Sequence, residues 1–438
     1  MPSLMVLAAL PLIVALTIFG FRRPVDLLLP AYAATVPFGK LLSTGVAPPF
    51  DSMSSLLALV LLAALSAKAL YGRSAQSRFP ATAPIWLLFL GLTGASAVWS
   101  VSPQITLEAF RNLGILVALY VLVALTPFTL PELRRLESAI VLGGVAAASY
   151  GIFQFVTGTL PVDLEGGGGG RFGRDLLGAN NTAAALLLPL AIALCRSVAA
   201  PSSRTRLAHT VATGVVVFGI LLTGSRGGLL ATAACLGITI VFIPRGRRVL
   251  LRYAAAVVVV VAVVLVLQPG GIAGRTDSTK SSGRTDIWKV GLYACQIYCL
   301  QGSGWGTFPR VYQLEQAYVG DARTLGRGVA YEPHNIWILI GIEAGLAGLV
   351  LALLGLLLTV RDSLRLPPSL RAPPLAANVA TLVAAFFLSN FEYKFFWLTL
   401  TYTLVCRSVA ITASRSAVVR VVPLPDRPDG PKVGAGAE

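Results

Sequence analysis

Charged side chains are scarce in this 438-residue sequence, where they make up only 12% of the chain. Hydrophobic residues account for 55%, and the mean hydropathy is +0.77. A chain this apolar is excluded from the water-soluble class. Uncharged runs such as "SSLLALVLLAALSAKAL" are close to the roughly 20 residues that cross a bilayer as a helix. Because a helix satisfies its own backbone polar groups in lipid, the composition predicts an all-α polytopic membrane protein.

Histidine and cysteine are also rare, with two and five residues respectively. His209 and His334 lie far apart, and the acidic residues show no HExxH or DxD spacing. The sequence therefore predicts a mechanism without a metal ion or another cofactor. The cysteines form no convincing disulfide framework, and each is expected to be an apolar packing residue. Even Cys295 and Cys299, one helical turn apart in "YACQIYCL", suit neither a zinc site nor a disulfide.

The net charge of +16 does not indicate a nucleic-acid partner, because of where the basic residues lie. Most of them form short clusters between apolar runs, where they set the orientation of the helices in a membrane. Five clusters are predicted to share one side of the membrane, which is therefore cytoplasmic: "YGRSAQSR", "PELRRLES", "CRSVAAPSSRTR", "PRGRRVLLR" and "RDSLRLPPSLR". Membrane lipids are the partners that this pattern predicts.

The apolar runs predict 12 or 13 transmembrane helices. They lie near 3–20, 25–42, 54–71, 82–99, 105–126, 138–156, 180–200, 207–223, 227–243, 250–268, 335–360, 375–391 and 395–412. The predicted organisation starts with N-terminal helices at 1–156, followed at 157–268 by central helices with a first outer loop and the GSRGG turn. One long outer loop at 269–333 comes next, then C-terminal helices at 334–412 and a disordered cytoplasmic tail at 413–438. The first run lacks preceding basic residues and a clear cleavage site, so it is expected to be a span.

Five arginines are predicted on the outer side, where basic residues are disfavoured: Arg171, Arg174, Arg226, Arg275 and Arg284. Arg226 is the clearest case, because "ILLTGSRGGLLATA" leaves no room for a solvated loop between two apolar runs. Any single one could be a snorkelling or ion-paired side chain. Several on one face instead indicate an anionic ligand, and a planar guanidinium matches phosphate oxygens. A lipid-linked phosphate or diphosphate fits this location.

His334 lies in "YEPHNIW", at the start of another apolar run. Pro333 favours the first turn of a helix, so His334 is predicted at a helix N-terminus, where the macrodipole disfavours its protonated form. A neutral imidazole accepts a proton, which makes His334 a candidate general base; the alternative is a helix-capping or interfacial histidine. Glu343 lies roughly 13.5 Å further along the helix and on its opposite side. It is therefore expected to be buried and paired elsewhere.

Several segments resemble the bacterial O-antigen ligase and polymerase superfamily, and they occur in the order typical of that family. They cover roughly 165–360 and read "GRFGRDLLGANNTAAALLLPLAIAL", "LLTGSRGGLLA", "SGRTDIWKVGLYACQ" with "GSGWGTFPRVY", and "PHNIWILIGIEAGLAGL". The resemblance implies a GT-C-like glycosyltransferase architecture in the bacterial inner membrane, with the active site facing the periplasm. It also implies transfer of a glycan from undecaprenyl diphosphate to an acceptor hydroxyl.

The resemblance also assigns catalytic roles to residues of this sequence. The loop histidine of the family matches His334, its arginines match Arg226 and Arg284, and Arg171 matches less securely. It implies that Arg226 and Arg284, helped by Arg171 or Arg174, hold the donor diphosphate and stabilise it as a leaving group. His334 then orients or deprotonates the acceptor hydroxyl for a direct displacement, which inverts the anomeric centre.

The remaining substrate-binding residues expected from these patterns are Asn181, Asn335 and Arg275. Asn335 is expected to position the histidine or a sugar. Asn181 belongs to a departure from the family pattern, since the usual Gly-Asn-Pro-Asn element reads Gly-Ala-Asn-Asn at 178–181. The role of Asn181 is therefore left open.

Three functions are compatible with this sequence. A ligase transfers the glycan to lipid A core or a similar acceptor, and one dominant outer loop favours it slightly. A polymerase uses a second lipid-linked glycan as the acceptor. A transporter of polyprenyl-linked sugars is the third, but it predicts repeated halves and charges near the membrane midplane, and the sequence shows no internal repeat.

Overall fold

The computed structural model describes residues 19–71, 79–162, 170–253, 284–319 and 330–421, together with the single positions 255, 258 and 262. For Arg245 and residues 415–421 it describes the backbone alone. Four sequence-based predictions fall outside the described residues: nearly all of the span at 3–20, most of the span at 250–268, Arg275, and the tail beyond 421.

The described residues are helical, apart from turns and two isolated β-bridges. In chain order the helices are α1 (Pro24–Leu42), α2 (Met53–Tyr71), α3 (Thr82–Ala95), α4 (Pro103–Leu125), α5 (Leu130–Val156), α6 (Ala179–Ala199), α7 (Ser203–Leu222), α8 (Arg226–Phe242), α9 (Arg284–Tyr298), α10 (Phe308–Glu315), α11 (Ile336–Glu343), α12 (Gly345–Leu364), α13 (Pro368–Ala385) and α14 (Lys394–Val421). Short irregular turns interrupt α1 and, at Leu186, α6.

Eight helices within the described residues are long and apolar enough to cross a membrane. They are α1, α2, α4, α5, α6, α7, α12 and the first part of α14, to Ser414. Two further apolar helices, α8 and α3 with its continuation to Val98, are shorter. The prediction of an all-α polytopic membrane protein is therefore confirmed.

The single span predicted at 335–360 is wrong, because the chain forms two helices there. α11 ends at Glu343 and α12 begins at Gly345, whose φ of +69° lies in the left-handed region. A Cβ at Gly345 would lie 2.7 Å from the carbonyl carbon of Gln301, so only glycine allows this approach. The break separates the short helix α11 from α12, which is long and apolar enough to cross a membrane.

Three other boundaries differ from the sequence-based prediction. The long outer loop at 269–333 contains the helices α9 and α10. The span predicted at 375–391 corresponds to α13, which begins earlier, at Pro368, because proline suits the first turn of a helix. The last helix continues past 412 to Val421, into the segment predicted as a disordered tail.

α6 lies at the centre of the bundle and packs against α5, α7, α8 and α13. Between residues 183 and 195 its sequence is apolar on every face, which is the pattern of a helix without an exposed side. Leu186, Leu190 and Ile192 within it are fully buried. A second, smaller apolar cluster joins α9, α10 and α11 through Val290, Phe308 and Ile342. These three short helices therefore form a layer with its own core, covering one end of the bundle.

Successive transmembrane helices run in opposite directions, so the bundle has two ends. The end that carries Arg226, Arg284 and His334 is called the site end; it includes residues 43–52, 96–102, 157–162, 170–178, 223–225 and 386–393. The opposite end, called the basic end, holds four of the five clusters predicted to share one side. Their arginines include Arg134, Arg135, Arg204, Arg206, Arg247, Arg365 and Arg371.

A buried ion pair near the basic end joins three helices. Arg196 on α6 donates from Nε to Glu137 Oε2 at 2.9 Å and from Nη2 to Glu137 Oε1 at 2.6 Å. The hydroxyl of Tyr402 on α14 also donates to Glu137 Oε1, at 2.8 Å. Glu137 and Arg196 are only 4% and 7% exposed. Because each charge is buried against the other, the pair fixes how α5, α6 and α14 pack.

Removing one partner of this pair should destabilise the fold strongly. We expect Arg196→Met to lower the free energy of unfolding by about 3–5 kcal/mol, because Glu137 is left as an uncompensated buried charge. The measurement is unfolding in mixed micelles by titration with a denaturing detergent. Arg134→Met is the matched control, since Arg134 lies 3.4 Å from the same carboxylate but is partly exposed, so its loss should cost less than about 1 kcal/mol. Equal losses in the two variants would contradict a dominant role for the buried pair.

Candidate active site

The N-terminus of α8 is the centre of the candidate site. Ser225 caps this helix, and its Oγ accepts a hydrogen bond from Gly228 N at 3.1 Å. Arg226 is the first helical residue, and its side chain is exposed. Among the described residues its guanidinium has no hydrogen-bond or ion-pair partner. An unpaired cation beside the positive end of a helix dipole favours binding of an anion.

The loop at 170–178 places Arg171 beside the start of α8. Phe172 N donates to Leu222 O at 3.1 Å, which joins the loop to the end of α7. The guanidinium of Arg171 donates from Nε to Thr223 O at 2.8 Å and from Nη2 to Asn180 Oδ1 at 3.1 Å. Arg171 is therefore held by the turn that precedes Arg226.

Arg284 reaches the same place from α9. It is the first residue of that helix, and it lines a narrow cleft together with Asn180, Ser225, Gly227 and Phe387. Gly227 keeps this packing close, because a Cβ there would lie 3.0 Å from the side chain of Phe387. The structure thus brings Arg171, Arg226 and Arg284 together from three separate segments of the chain.

His334 lies next to Arg284, in a strained backbone conformation. Its φ of +47° falls in the left-handed region, which is uncommon for residues other than glycine and often marks a functional position. Trp288 lies one turn after Arg284 on α9, and its Nε1 donates to Pro333 O at 2.7 Å. This hydrogen bond attaches the segment before His334 to the helix face that carries Arg284.

The imidazole of His334 is neutral near pH 7. Burial lowers its pKa, the Arg284 guanidinium lowers it further, and together they bring it to about 4. The expectation that His334 lies in the first turn of a helix is wrong, because α11 begins at Ile336 with Asn335 as its N-cap. Burial and, after it, Arg284 account for the lowered pKa of His334.

Asn335 holds the histidine segment in place. Its Oδ1 accepts from Trp337 N at 2.9 Å and from Ile338 N at 3.2 Å, as an N-cap does. Its Nδ2 donates to Phe386 O at 3.3 Å, at the end of α13. Since Asn335 is buried, the structure indicates a positioning role beside His334 rather than an open contact surface.

Arg174 and Asn181 lie near this group but make other contacts. Arg174 Nη1 donates to Val162 O at 3.3 Å, and Asn181 Nδ2 donates to Leu177 O at 3.4 Å. Asn180, not Asn181, accepts from Arg171 and lines the cleft. Sequence analysis missed Asn180 because the two asparagines are adjacent, and only the helix orientation decides which one faces the arginines.

Two other sequence-based expectations have clear outcomes at the site end. Glu343 is buried, and its carboxylate accepts from Gly306 N and Phe308 N, both at 2.9 Å, so the prediction that it is paired elsewhere is confirmed.

The prediction that Cys295 and Cys299 do not pair is wrong, because they form a disulfide. α9 ends at Tyr298, and the turn brings the two Cα atoms to 4.5 Å, within the usual range for a disulfide.

These residues together can bind an anion and accept a proton at adjacent positions. Three guanidinium groups and the N-terminus of α8 supply positive charge, while a neutral imidazole lies beside one of them. Preorganised donors of this kind stabilise negative charge that develops on a leaving group. The arrangement therefore suits a displacement in which an anion departs and a hydroxyl loses its proton.

Comparison with known proteins relates this geometry to a family. A family model described as O-antigen ligase matches residues 211–353, which include Arg226, Arg284 and His334. The chain is also 29% identical over 147 residues to the exopolysaccharide production protein ExoQ of Rhizobium meliloti (strain 1021). That match covers 31% of this chain and 34% of the relative, so the chain spans about a third of the length of the curated relative that it matches. Over these residues, the resemblance to the O-antigen ligase and polymerase superfamily is confirmed.

The titration of His334 can be measured directly. We expect a pKa of about 4, and Arg284→Gln should raise it because the variant removes the neighbouring positive charge. The chain has only two histidines, so NMR of histidine-labelled protein in detergent should show two imidazole signals. His209→Gln leaves one signal and assigns it to His334.

The sign of the effect on stability follows from the same pKa. The pKa of His334 is lower in the folded protein than its usual value near 6.5, so the unfolded chain binds the proton more readily. Lowering the pH from about 6.5 towards 4 should therefore reduce the free energy of unfolding. Arg310→Gln, on the exposed side of α10, is the control and should leave the His334 pKa unchanged. A wild-type pKa at or above 6.5 would overturn this account.

Proposed function

We propose that this protein, which resembles the O-antigen ligase family over residues 211–353, is a membrane glycosyltransferase. It transfers a glycan from undecaprenyl diphosphate to a hydroxyl of an acceptor glycan. The observation that carries the proposal is the neutral imidazole of His334 beside Arg284, at the arginine-rich N-terminus of α8. A diphosphate leaving group and a hydroxyl nucleophile need these two kinds of group next to each other.

The arginines bind the donor diphosphate in this proposal. Arg226 supplies an unpaired guanidinium at the membrane surface, and Arg284 lies across the cleft from the α8 N-terminus. Arg171, held by Thr223 and Asn180, adds a third positive charge. Together they stabilise the charge that the diphosphate gains when its bond to the sugar breaks.

His334 accepts the proton of the acceptor hydroxyl. The acceptor oxygen forms a bond to the anomeric carbon as the bond from that carbon to the diphosphate oxygen breaks. The electron pair stays with undecaprenyl diphosphate, the proton passes to the imidazole and then to water, and the anomeric centre is inverted. Donor binding makes His334 a stronger base, because the diphosphate charge offsets the effect of Arg284 on its pKa.

The proposed location is the inner membrane, with the site end facing the periplasm. The basic end is then cytoplasmic, as the distribution of Lys and Arg in membrane proteins favours. The disulfide between Cys295 and Cys299 lies at the site end, and disulfides form in oxidising compartments such as the periplasm. Two independent features thus support the same orientation.

Two acceptors fit this chemistry. A ligase uses lipid A core or a similar acceptor, and the match to the O-antigen ligase family favours it. A polymerase uses a second undecaprenyl-linked glycan, and the similarity to an exopolysaccharide production protein favours this second candidate. Both transfer the same glycan from the same kind of donor, so the acceptor alone separates them.

Turnover of a purified donor tests the proposal. We expect His334→Asn to lower kcat by about 100- to 10,000-fold, the usual contribution of a general base. Asparagine tolerates the left-handed backbone of position 334, so this variant removes the base with little strain. The assay supplies undecaprenyl-diphosphate glycan in detergent, with lipid A core or more donor as the acceptor. His209→Gln is the control and should keep full activity, and equal activity of both variants would refute the role of His334.

Donor binding should raise the pKa of His334. An anion between the arginines cancels part of the positive charge that disfavours the imidazolium. The NMR titration described above, repeated with undecaprenyl diphosphate, should therefore show His334 protonating at a higher pH than in the free protein. Undecaprenyl alcohol is the control ligand and should cause no change. A pKa that stays at its free value with saturating diphosphate would contradict binding next to Arg284.

A further inference from the structure

A cavity of about 350 Å³ lies at the site end, away from the arginine cleft. Its volume is within the range of small-molecule sites in proteins. The polar part of its wall comes from the starts of two distant helices, α2 and α14, and includes Asp51, Ser52, Ser54, Ser55, Glu392 and Lys394. Apolar side chains from deeper positions on α2 and α4, such as Leu59 and Ile115, line the remainder. The mechanism described above uses none of these residues.

The polar wall is an organised network of hydroxyl groups. The ammonium of Lys394 donates to the Oγ atoms of three serines, at 2.9 Å for Ser52, 3.1 Å for Ser54 and 2.6 Å for Ser55. The hydroxyl of Ser55 donates in turn to Asp51 Oδ1 at 2.6 Å. An ammonium group has three N–H donors, so those of Lys394 are all engaged. The serine hydroxyls are also joined to one another, at 3.2 Å between Ser52 and Ser54 and at 2.9 Å between Ser52 and Ser55, so they form one continuous hydrogen-bonding network along the wall.

Glu392 adds a carboxyl group with unused hydrogen-bonding capacity. Its Oε1 is buried and, among the described residues, has no hydrogen-bond partner. Burial and, after it, the Glu332 carboxylate raise the pKa of Glu392 to about 7. Near neutral pH this carboxyl group can therefore donate as well as accept a hydrogen bond.

This chemistry favours a sugar over a phosphate. An anion is disfavoured here, because the N–H donors of Lys394 are occupied and the carboxyl groups of Asp51 and Glu392 share the wall. The other lysine of the lining, Lys40, is exposed to solvent rather than enclosed by the polar wall. A sugar presents neighbouring hydroxyls that both donate and accept, which matches serine hydroxyls together with Glu392. The apolar part of the lining suits the lipid-proximal part of a lipid-anchored molecule.

The cavity also adjoins the loop that carries Arg171. Leu176 and Leu177 line it, and they belong to the same loop as Arg171. Lys40 N donates to Leu176 O at 2.8 Å, and the glycine before it, Gly39, permits this close approach. Glu392 in the cavity wall also interacts electrostatically with Glu332, which precedes His334 by two residues. A molecule in the cavity is thus in contact with the loop that carries Arg171.

We propose that this cavity binds a sugar of the lipid-anchored acceptor glycan, with the hydroxyls of Ser52 and Ser54 and the carboxyl group of Glu392 as its hydrogen-bonding partners. The inference rests on the proposed function, because it assumes that the arginine cleft holds the donor diphosphate. The donor sugar is bonded directly to that diphosphate and occupies the space beside the arginines. The separate cavity is therefore left for the second substrate.

Steady-state kinetics of a double variant test the proposal. Ser52→Ala with Ser54→Ala removes two hydroxyls, and loss of two hydrogen bonds should raise the acceptor KM about tenfold. The donor KM and kcat should stay within about twofold, because the arginines and His334 are intact. Thr157→Ala, an exposed hydroxyl at the same end but outside the cavity, is the matched control. An unchanged acceptor KM, or a rise in the donor KM alone, would overturn the proposal.

Chemical labelling gives a second measurement that does not need turnover. Lys40 is exposed and lines the cavity, and three native cysteines are buried while the other two form the disulfide. Lys40→Cys should therefore be the main site for a small charged methanethiosulfonate reagent. Lipid A core or undecaprenyl-diphosphate glycan should slow this labelling about tenfold or more at saturation, whereas inorganic diphosphate should not. The lipid that protects identifies the acceptor.

The two measurements separate the possible failures. Protection by a glycan lipid in a protein that shows no turnover with any donor would remove the proposed function and keep the sugar site. Normal turnover with a wild-type acceptor KM in the serine double variant would remove the sugar site and keep the proposed function. Equal slowing by inorganic diphosphate, or no slowing by either glycan lipid, would also overturn the sugar site.

Discussion

The carboxyl group of Glu343 holds together the layer that α9, α10 and α11 form over the site end. It accepts two backbone N–H groups from the loop between α9 and α10, and the same loop pairs through Ser303 and Gly304 with the backbone at the end of α11. Ser303 also accepts a hydrogen bond from Val101, between α3 and α4. Because α9 carries Arg284 and Trp288, the positions of the cationic cleft and of the base both depend on this attachment.

The candidate site combines groups that oppose one another electrostatically. Burial and, after it, the Arg284 guanidinium lower the pKa of His334 and keep its imidazole neutral, whereas the same guanidinium favours an anion. In the proposed function, an anionic donor bound beside Arg284 offsets part of the positive charge that disfavours protonation of His334. The proposal therefore makes the basicity of His334 depend on the presence of the donor.

The sequence predicted those features that depend on local pattern or on isolated charges. Apolar runs identified most of the helices, and arginines on the side where basic residues are disfavoured led to Arg226 and Arg284. His334 followed because histidine is rare in this chain. The disulfide was missed, since its geometry depends on where α9 ends rather than on the spacing of Cys295 and Cys299. The serine network around Lys394 could not be predicted, because its partners are about 340 residues apart and none of them forms a recognisable motif.

The long sequence separation of these contacts has a consequence for biogenesis. A membrane protein is synthesised from its N-terminus, so α2 enters the bilayer long before α14 exists. During that interval the serines of α2 lack Lys394, and Glu137 is paired with Arg196 but lacks Tyr402. The last helix therefore closes both ends of the bundle at once. A chain without α14 lacks hydrogen-bond partners for buried polar groups near both ends of the bundle, and only the full set of helices satisfies them.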